Sequence, residues 1–170
     1  MDPHIDKNLE FTEKLKLFFK EQKFKIILIS CTCVLISIIF LVMKIFQERE
    51  NILISEKFIK ANIFLSTQNE DKSKELYEEI IKSKNKFYSI LALNTILEKN
   101  LETNSNKIFN YFKVIESMSL DKEQYDLIIF KKALYLIKTS KKDEGFKLLN
   151  NLIDTNSKLK NLAKTLVPID

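Results

Sequence analysis

The side chains able to do chemistry are few and far apart. His4 is the single histidine and sits beside Pro3 in a charged N-terminal tail. A metal site needs several convergent ligands, and no ligand cluster surrounds it. Cys31 and Cys33 are the two cysteines, and both lie in an apolar run. Two positions apart on a helix they point about 200° away from each other, so they cannot bridge and read as small apolar fillers. Glu75, Glu78 and Glu79 stand among Lys72 and Lys74, the pattern of a solvated helix face with weak ion-pair support. Nothing resembles a glycine-rich phosphate loop, a zinc-protease helix motif or a nucleophile with a base nearby in sequence. The expectation is a protein that is not an enzyme, with no cofactor, no metal and no small-molecule substrate.

If the chain does no chemistry, its elements must be read for position and binding. The 170 residues hold one glycine, Gly145, and two prolines, Pro3 and Pro168. A chain so poor in turn residues and rich in Leu, Ile, Lys and Glu reads as all-α. Lys and Arg number 28 against 23 acidic residues, for a net charge of +5. The two signs interleave throughout, and Arg49 is the single arginine, so no basic patch for nucleic acid is expected.

Ile26–Met43 carries no charge over eighteen residues. As a helix it covers about 27 Å, close to the hydrocarbon thickness of a bilayer. Ile45 and Phe46 extend it, with Lys44 reaching toward the headgroups. A buried core helix of this length would carry a polar stripe. A cleaved signal peptide would have a shorter apolar core and a small-residue cleavage site. The lipoprotein-like box Leu28–Cys31 has only five apolar-run residues up to Ser30 before its cysteine, and the run continues past it. We therefore expect a transmembrane signal anchor over 26–46, a tail over 1–25 and a helical domain over 47–170.

In the tail, Phe11, Leu15 and Phe18 recur at helical spacing among lysines. That pattern fits an amphipathic helix on an anionic leaflet and equally an extension of the anchor helix. Lys7, Lys14, Lys16, Lys20, Lys23 and Lys25 precede the span, whereas Lys44, Arg49, Lys57 and Lys60 follow it. This bias favours a cytoplasmic N-terminus and places the domain on the far side. Beyond Lys44 nothing breaks the helix until the turn residues that follow Thr67.

The domain repeats itself. Ser73, Leu76, Tyr77, Ile80 and Ile81 form one helical face. The same offsets give Ile108, Tyr111, Phe112, Ile115 and Glu116, then Gly145, Leu148, Leu149, Leu152 and Ile153. Ala61 lies twelve residues before Ser73, and Ala133 twelve before Gly145, so small residues meet across the first and third hairpins. A helical pair recurring about every 34 residues is the mark of a tetratricopeptide-like solenoid; a non-repeating bundle is the alternative. The middle unit is less regular, with its first helix near 87–99 and a longer turn over 103–106. The segment from Ser157 reads as a capping half-unit. Stacked pairs leave a groove lined by first helices, and Phe58, Asn62, Phe130 and Leu134 are its candidate binding residues.

A short charged tail, one uncleaved span and a divergent repeat domain resemble the YfgM-type membrane proteins of Gram-negative bacteria. The resemblance is carried by this architecture and by Phe58–Leu65 (FIKANIFL), Ser73–Ile81 (SKELYEEII) and Asp143–Ile153 (DEGFKLLNNLI). The chain lacks that family's alanine richness and most of its turn glycines. The resemblance implies an ancillary subunit of the Sec translocon in the bacterial inner membrane, with its repeats in the periplasm. It further implies a membrane-anchored periplasmic chaperone as partner. The residues themselves leave open an assembly adaptor for envelope biogenesis or cell division, or a cytoplasm-facing adaptor if the topology is inverted.

Overall fold

The structure is a computed structural model that describes Glu13 and residues 22–168. The expected amphipathic tail falls outside the described residues. The chain divides into two compact units, Met1–Glu50 and Asn51–Asp170. All regular structure among the described residues is helical: α1 Lys23–Ser66, α2 Glu70–Lys82, α3 Lys86–Glu98, α4 Ser105–Glu116, α5 Lys122–Lys138, α6 Lys142–Asp154 and α7 Lys160–Lys164.

In the first unit, α1 presents its apolar side chains outward, including Val34, Leu35, Ile38, Phe40 and Met43. Its most apolar window has mean hydropathy 3.0 and none of it is buried, so it is no core helix of this fold. It is long and apolar enough to cross a membrane. Two of its hydroxyls turn back on the helix: Thr32 Oγ1 donates to the Leu28 carbonyl at 2.7 Å and Ser37 Oγ to that of Cys33 at 2.9 Å. No polar group of these two side chains is left wanting water. Cys31 and Cys33 are both free and exposed.

In the second unit, the α1 residues from Asn51 onward form a hairpin with α2. The helix ends at Ser66, as the turn residues after Thr67 predict. Asn69, Asn85, Asn104 and Asp121 cap the next four helices through their side chains, and Asp121 completes a capping box with Gln124. The opposite ends are unusual. Gln68, Lys84, Asn100, Ser140 and Asn156 all take positive φ, between 52° and 66°. Four of these ends close with a six-residue reverse bond: Asn69 N to Phe64 O, Leu101 N to Ile96 O, Lys141 N to Leu136 O and Ser157 N to Leu152 O. This is the left-handed termination that glycine usually supplies. A chain with one glycine makes it from side-chain-bearing residues, at a strain of about 1–2 kcal/mol each, less for asparagine.

Two apolar clusters hold the unit together. The first gathers Tyr77, Ile80, Ile81, Leu93, Ile96, Phe112 and Ile115 beneath Ile54 and Ala61. The second gathers Ile129, Phe130, Ala133, Leu149, Leu152 and Ala163. α5 belongs to both, since Ile128 faces the first and its neighbours face the second. The expected half-unit after Ser157 is smaller than the sequence suggests. It is a buried serine followed by the five-residue α7, which covers the second cluster through Ala163.

The small residues twelve apart sit where helices touch. Ser73 Oγ donates to the Ala61 carbonyl at 2.9 Å, fully buried. A Cβ on Gly145 would lie 2.8 Å from the Ala133 carbonyl oxygen and 2.6 Å from Ile137 Cγ1. The middle hairpin differs: Ile96 and Ile108 hold the matching positions, and α3 and α4 do not approach in this way. Gly145→Ala is therefore expected to destabilise by about 1 kcal/mol or more, the clash outweighing alanine's better helix propensity. Ser140→Gly is expected to stabilise by about 0.5–1 kcal/mol, relief of the left-handed strain exceeding glycine's entropy cost. Urea unfolding in detergent, followed by far-ultraviolet circular dichroism, checks both.

Candidate protein-binding groove

Two isoleucines at the middle hairpin open a space that alanine and serine close in the first. Beside Ile96 and Ile108 lies a groove of about 220 Å³. Leu97 and Glu98 of α3, Asn100 and Glu102 of the following loop, and Lys131, Leu134, Tyr135 and Lys138 of α5 complete it. Its floor is apolar. Leu134 is 39% exposed there. Tyr135 is fixed from behind: its hydroxyl bonds Ser105 Oγ at 3.1 Å, and Phe109 meets its ring edge-on at 5.5 Å. Lys131 and Lys138 lie one helical turn to either side of Leu134, so the rim on α5 is cationic.

Glu102 anchors the other wall. It is buried, and its Oε1 accepts the Asn104 backbone N–H at 2.9 Å. Lys107 Nζ stands 3.2 Å and Lys74 Nζ 3.9 Å from its Oε2. The Asn104 N–H above all, helped by these ammonium groups, holds the Glu102 carboxyl below the usual range against the effect of burial. Lys107 is raised in turn by its bond to Glu102 and by the charge of Glu78. Glu78 accepts the Tyr111 hydroxyl at 2.6 Å, and burial followed by this neighbour drives the Tyr111 pKa strongly up. Glu78 is thus no ordinary solvated carboxylate, because it links α2 to α4. Glu79 reaches back to Lys57 at 2.6 Å. A second hollow, lined by Glu123, Asp126, Leu127, Ser157 and Lys158, is bridged by a Glu123–Lys158 ion pair.

The four candidate binding residues are not brought together. Leu134 lines the groove. Phe58 is half-buried, its ring between Tyr77 and Tyr88 at 5.7 and 5.6 Å. Asn62 is exposed but occupied: its Nδ2 donates to the Phe58 carbonyl at 2.9 Å and its Oδ1 accepts the Tyr77 hydroxyl at 2.8 Å. Phe130 is only 7% exposed and packs in the second cluster, so the expectation that it lines the groove is corrected: α6 and α7 cover its ring. The residues named for repeat packing, Ala61, Ser73, Tyr77, Ile80, Ile108, Phe112, Ile115, Ala133, Gly145, Leu149 and Leu152, are all buried. Sequence reasoning missed Leu97, Tyr135, Lys131 and Lys138. The i−3 and i+4 lysines around Leu134 were the available signal.

Among the described residues no His, Cys, Asp and Glu side chains cluster as a metal site. No protein-family model matches the chain, and neither curated proteins nor solved structures give a significant match. The arrangement suits a partner's aliphatic side chain set in the groove with acidic groups toward Lys131 and Lys138.

The Glu102 cluster has a pH signature. A depressed carboxyl stabilises the fold above its unfolded value near 4.5, and that contribution is lost as pH falls through the folded value. The raised Lys107 contributes fully below 10.5, and its contribution is lost as pH rises through the folded value. Glu102→Gln should cost on the order of 1 kcal/mol at pH 7. The cost should shrink as pH falls below 4.5 and vanish once the folded carboxyl is itself protonated. Urea midpoints of both proteins across an acid pH series test this.

Proposed function

We propose that this protein is a membrane-anchored scaffold that binds other proteins through a tetratricopeptide-like solenoid. The observation that carries the reading is the open groove between α3 and α5, apolar on its floor and cationic on its α5 rim. Repetition supports the solenoid: Ala61 with Ser73 and Ala133 with Gly145 make equivalent close approaches at the same twelve-residue spacing. The outward-facing apolar stretch of α1 supports anchoring in a bilayer. On this reading the N-terminus is cytoplasmic, and the repeats lie in the periplasm of a bacterial inner-membrane protein.

The resemblance to YfgM-type proteins supplies the partners. The scaffold would stand beside the Sec translocon and hold a membrane-anchored periplasmic chaperone near emerging chains. The groove fits that work because it selects by side-chain shape and charge, without chemistry.

Two measurements test the reading. A C-terminal tag should become protease-sensitive when the outer membrane is opened; protection until the inner membrane is lysed would refute the periplasmic placement. Affinity purification from solubilised membranes should recover translocon subunits, and Leu134→Glu should reduce that recovery about tenfold, as removal of a central apolar anchor does. Recovery of envelope-assembly or division proteins alone would move the function to that pathway.

A further inference from the structure

The α1 segment beyond Asn51 is apolar on two opposite sides. One side, with Ile54, Phe58, Ala61 and Leu65, packs on the first cluster. The other carries Ile52, Ile59 and Ile63, exposed by 54%, 58% and 55%. By helical geometry these three lie about 140–180° around the axis from Ile54. Three isoleucines aligned on a solvent face are not what a helix with one buried stripe shows.

The spacing says what kind of partner fits. Ile38, Ile45, Ile52 and Ile59 follow each other at seven-residue steps along α1. A strict seven-residue apolar repeat is the period of a left-handed two-stranded supercoil, not of a straight surface helix. We infer that this line docks a second copy of the chain, so that two α1 helices pair in parallel and in register. The inference rests on the membrane anchoring proposed above. Anchoring inserts every copy in the same direction and at the same depth, so identical heptad positions meet without any search for orientation.

Charge fits the same register. With the isoleucines as one core position of the heptad, Arg49 is the next core position and is flanked by Glu48 of the second copy. Each copy's single arginine thus meets one carboxylate of the other copy, giving two such pairs about the two-fold axis. Among the described residues neither Glu48 nor Arg49 forms an ion pair within its own chain, and both are exposed. Glu56 is the other polar core position. A polar layer of this kind sets register at a cost in stability, and Lys60 one turn on supplies opposite charge. The apolar line is narrower than the roughly 800 Å² per partner of a stable soluble complex. Confinement to one membrane supplies the missing effective concentration.

Disulfide trapping of the full chain in membranes tests the pairing. In a Cys31→Ala, Cys33→Ala background, Ile52→Cys and Ile59→Cys should each give a disulfide-linked dimer on mild oxidation. Leu53→Cys should not, although Leu53 is 54% exposed, because it lies about 100° off the line. Adding Ile52→Lys and Ile59→Lys should reduce dimer formation by Ile45→Cys at least tenfold while circular dichroism stays unchanged. Equal trapping at positions 52 and 53, no trapping at 52 and 59, or trapping there of a different chain would overturn the proposal. Carbonate extraction of the same membranes is scored alongside. A resistant chain that fails to cross-link refutes the pairing alone, whereas an extracted chain refutes the anchor on which the pairing rests.

Discussion

Ser73 buried against the backbone of Ala61 is the contact from which the Asn51–Asp170 unit is built. A hydroxyl with no access to water must find an acceptor, and here the acceptor is a carbonyl on the neighbouring helix. That requires two backbones to approach closely, which small residues such as alanine opposite serine permit. Once they are close, Tyr77 meets Phe58 and reaches Asn62, and Lys57 meets Glu79. The third hairpin reaches the same proximity by omission, with Gly145 offering no side chain to Ala133. The middle hairpin, with isoleucines at both places, cannot do so, and the groove lies beside it. The packing rule and its exception thus account for both the core and the surface that breaks it.

Much of this was legible in the residues. The apolar run, the end of α1 near Thr67 and the small residues twelve apart are local signals, and local signals survive folding. Faces that depend on a distant neighbour were not legible. α5 is apolar on several sides because it serves two clusters, so its sequence alone does not tell which residue is covered. Phe130 and Leu134 stand one turn apart, and α6 and α7 cover only the first. Glu78 and Glu102 look like surface carboxylates in sequence. Glu78 is partly buried by its bond to Tyr111, 33 residues on, and Glu102 is buried near Lys74 of α2, a helix distant in sequence.

The helix ends carry a different lesson. Scarce glycine argues for long helices and few turns, yet the chain turns sharply after most of its helices. It does so with glutamine, lysine, serine and asparagine in left-handed conformations that the surrounding bonds enforce. Tertiary packing overrides a local preference worth about 1–2 kcal/mol at each such residue. Asparagine, the least strained of the four, takes two of the five positions.

The double allegiance of α5 also sets an order of events during synthesis. Apart from Tyr135 of α5 itself, the cluster around Ile128 is drawn from residues that precede it, whereas Leu149, Leu152 and Ala163, which cluster with Phe130 and Ala133, follow. While translation proceeds, the forward half of the unit can close as soon as α5 emerges. For an interval thereafter, Phe130 and Leu134 form one continuous apolar ridge on a half-finished protein. The growing chain therefore exposes that ridge until α6 and α7 arrive to divide it into a covered ring and an open groove.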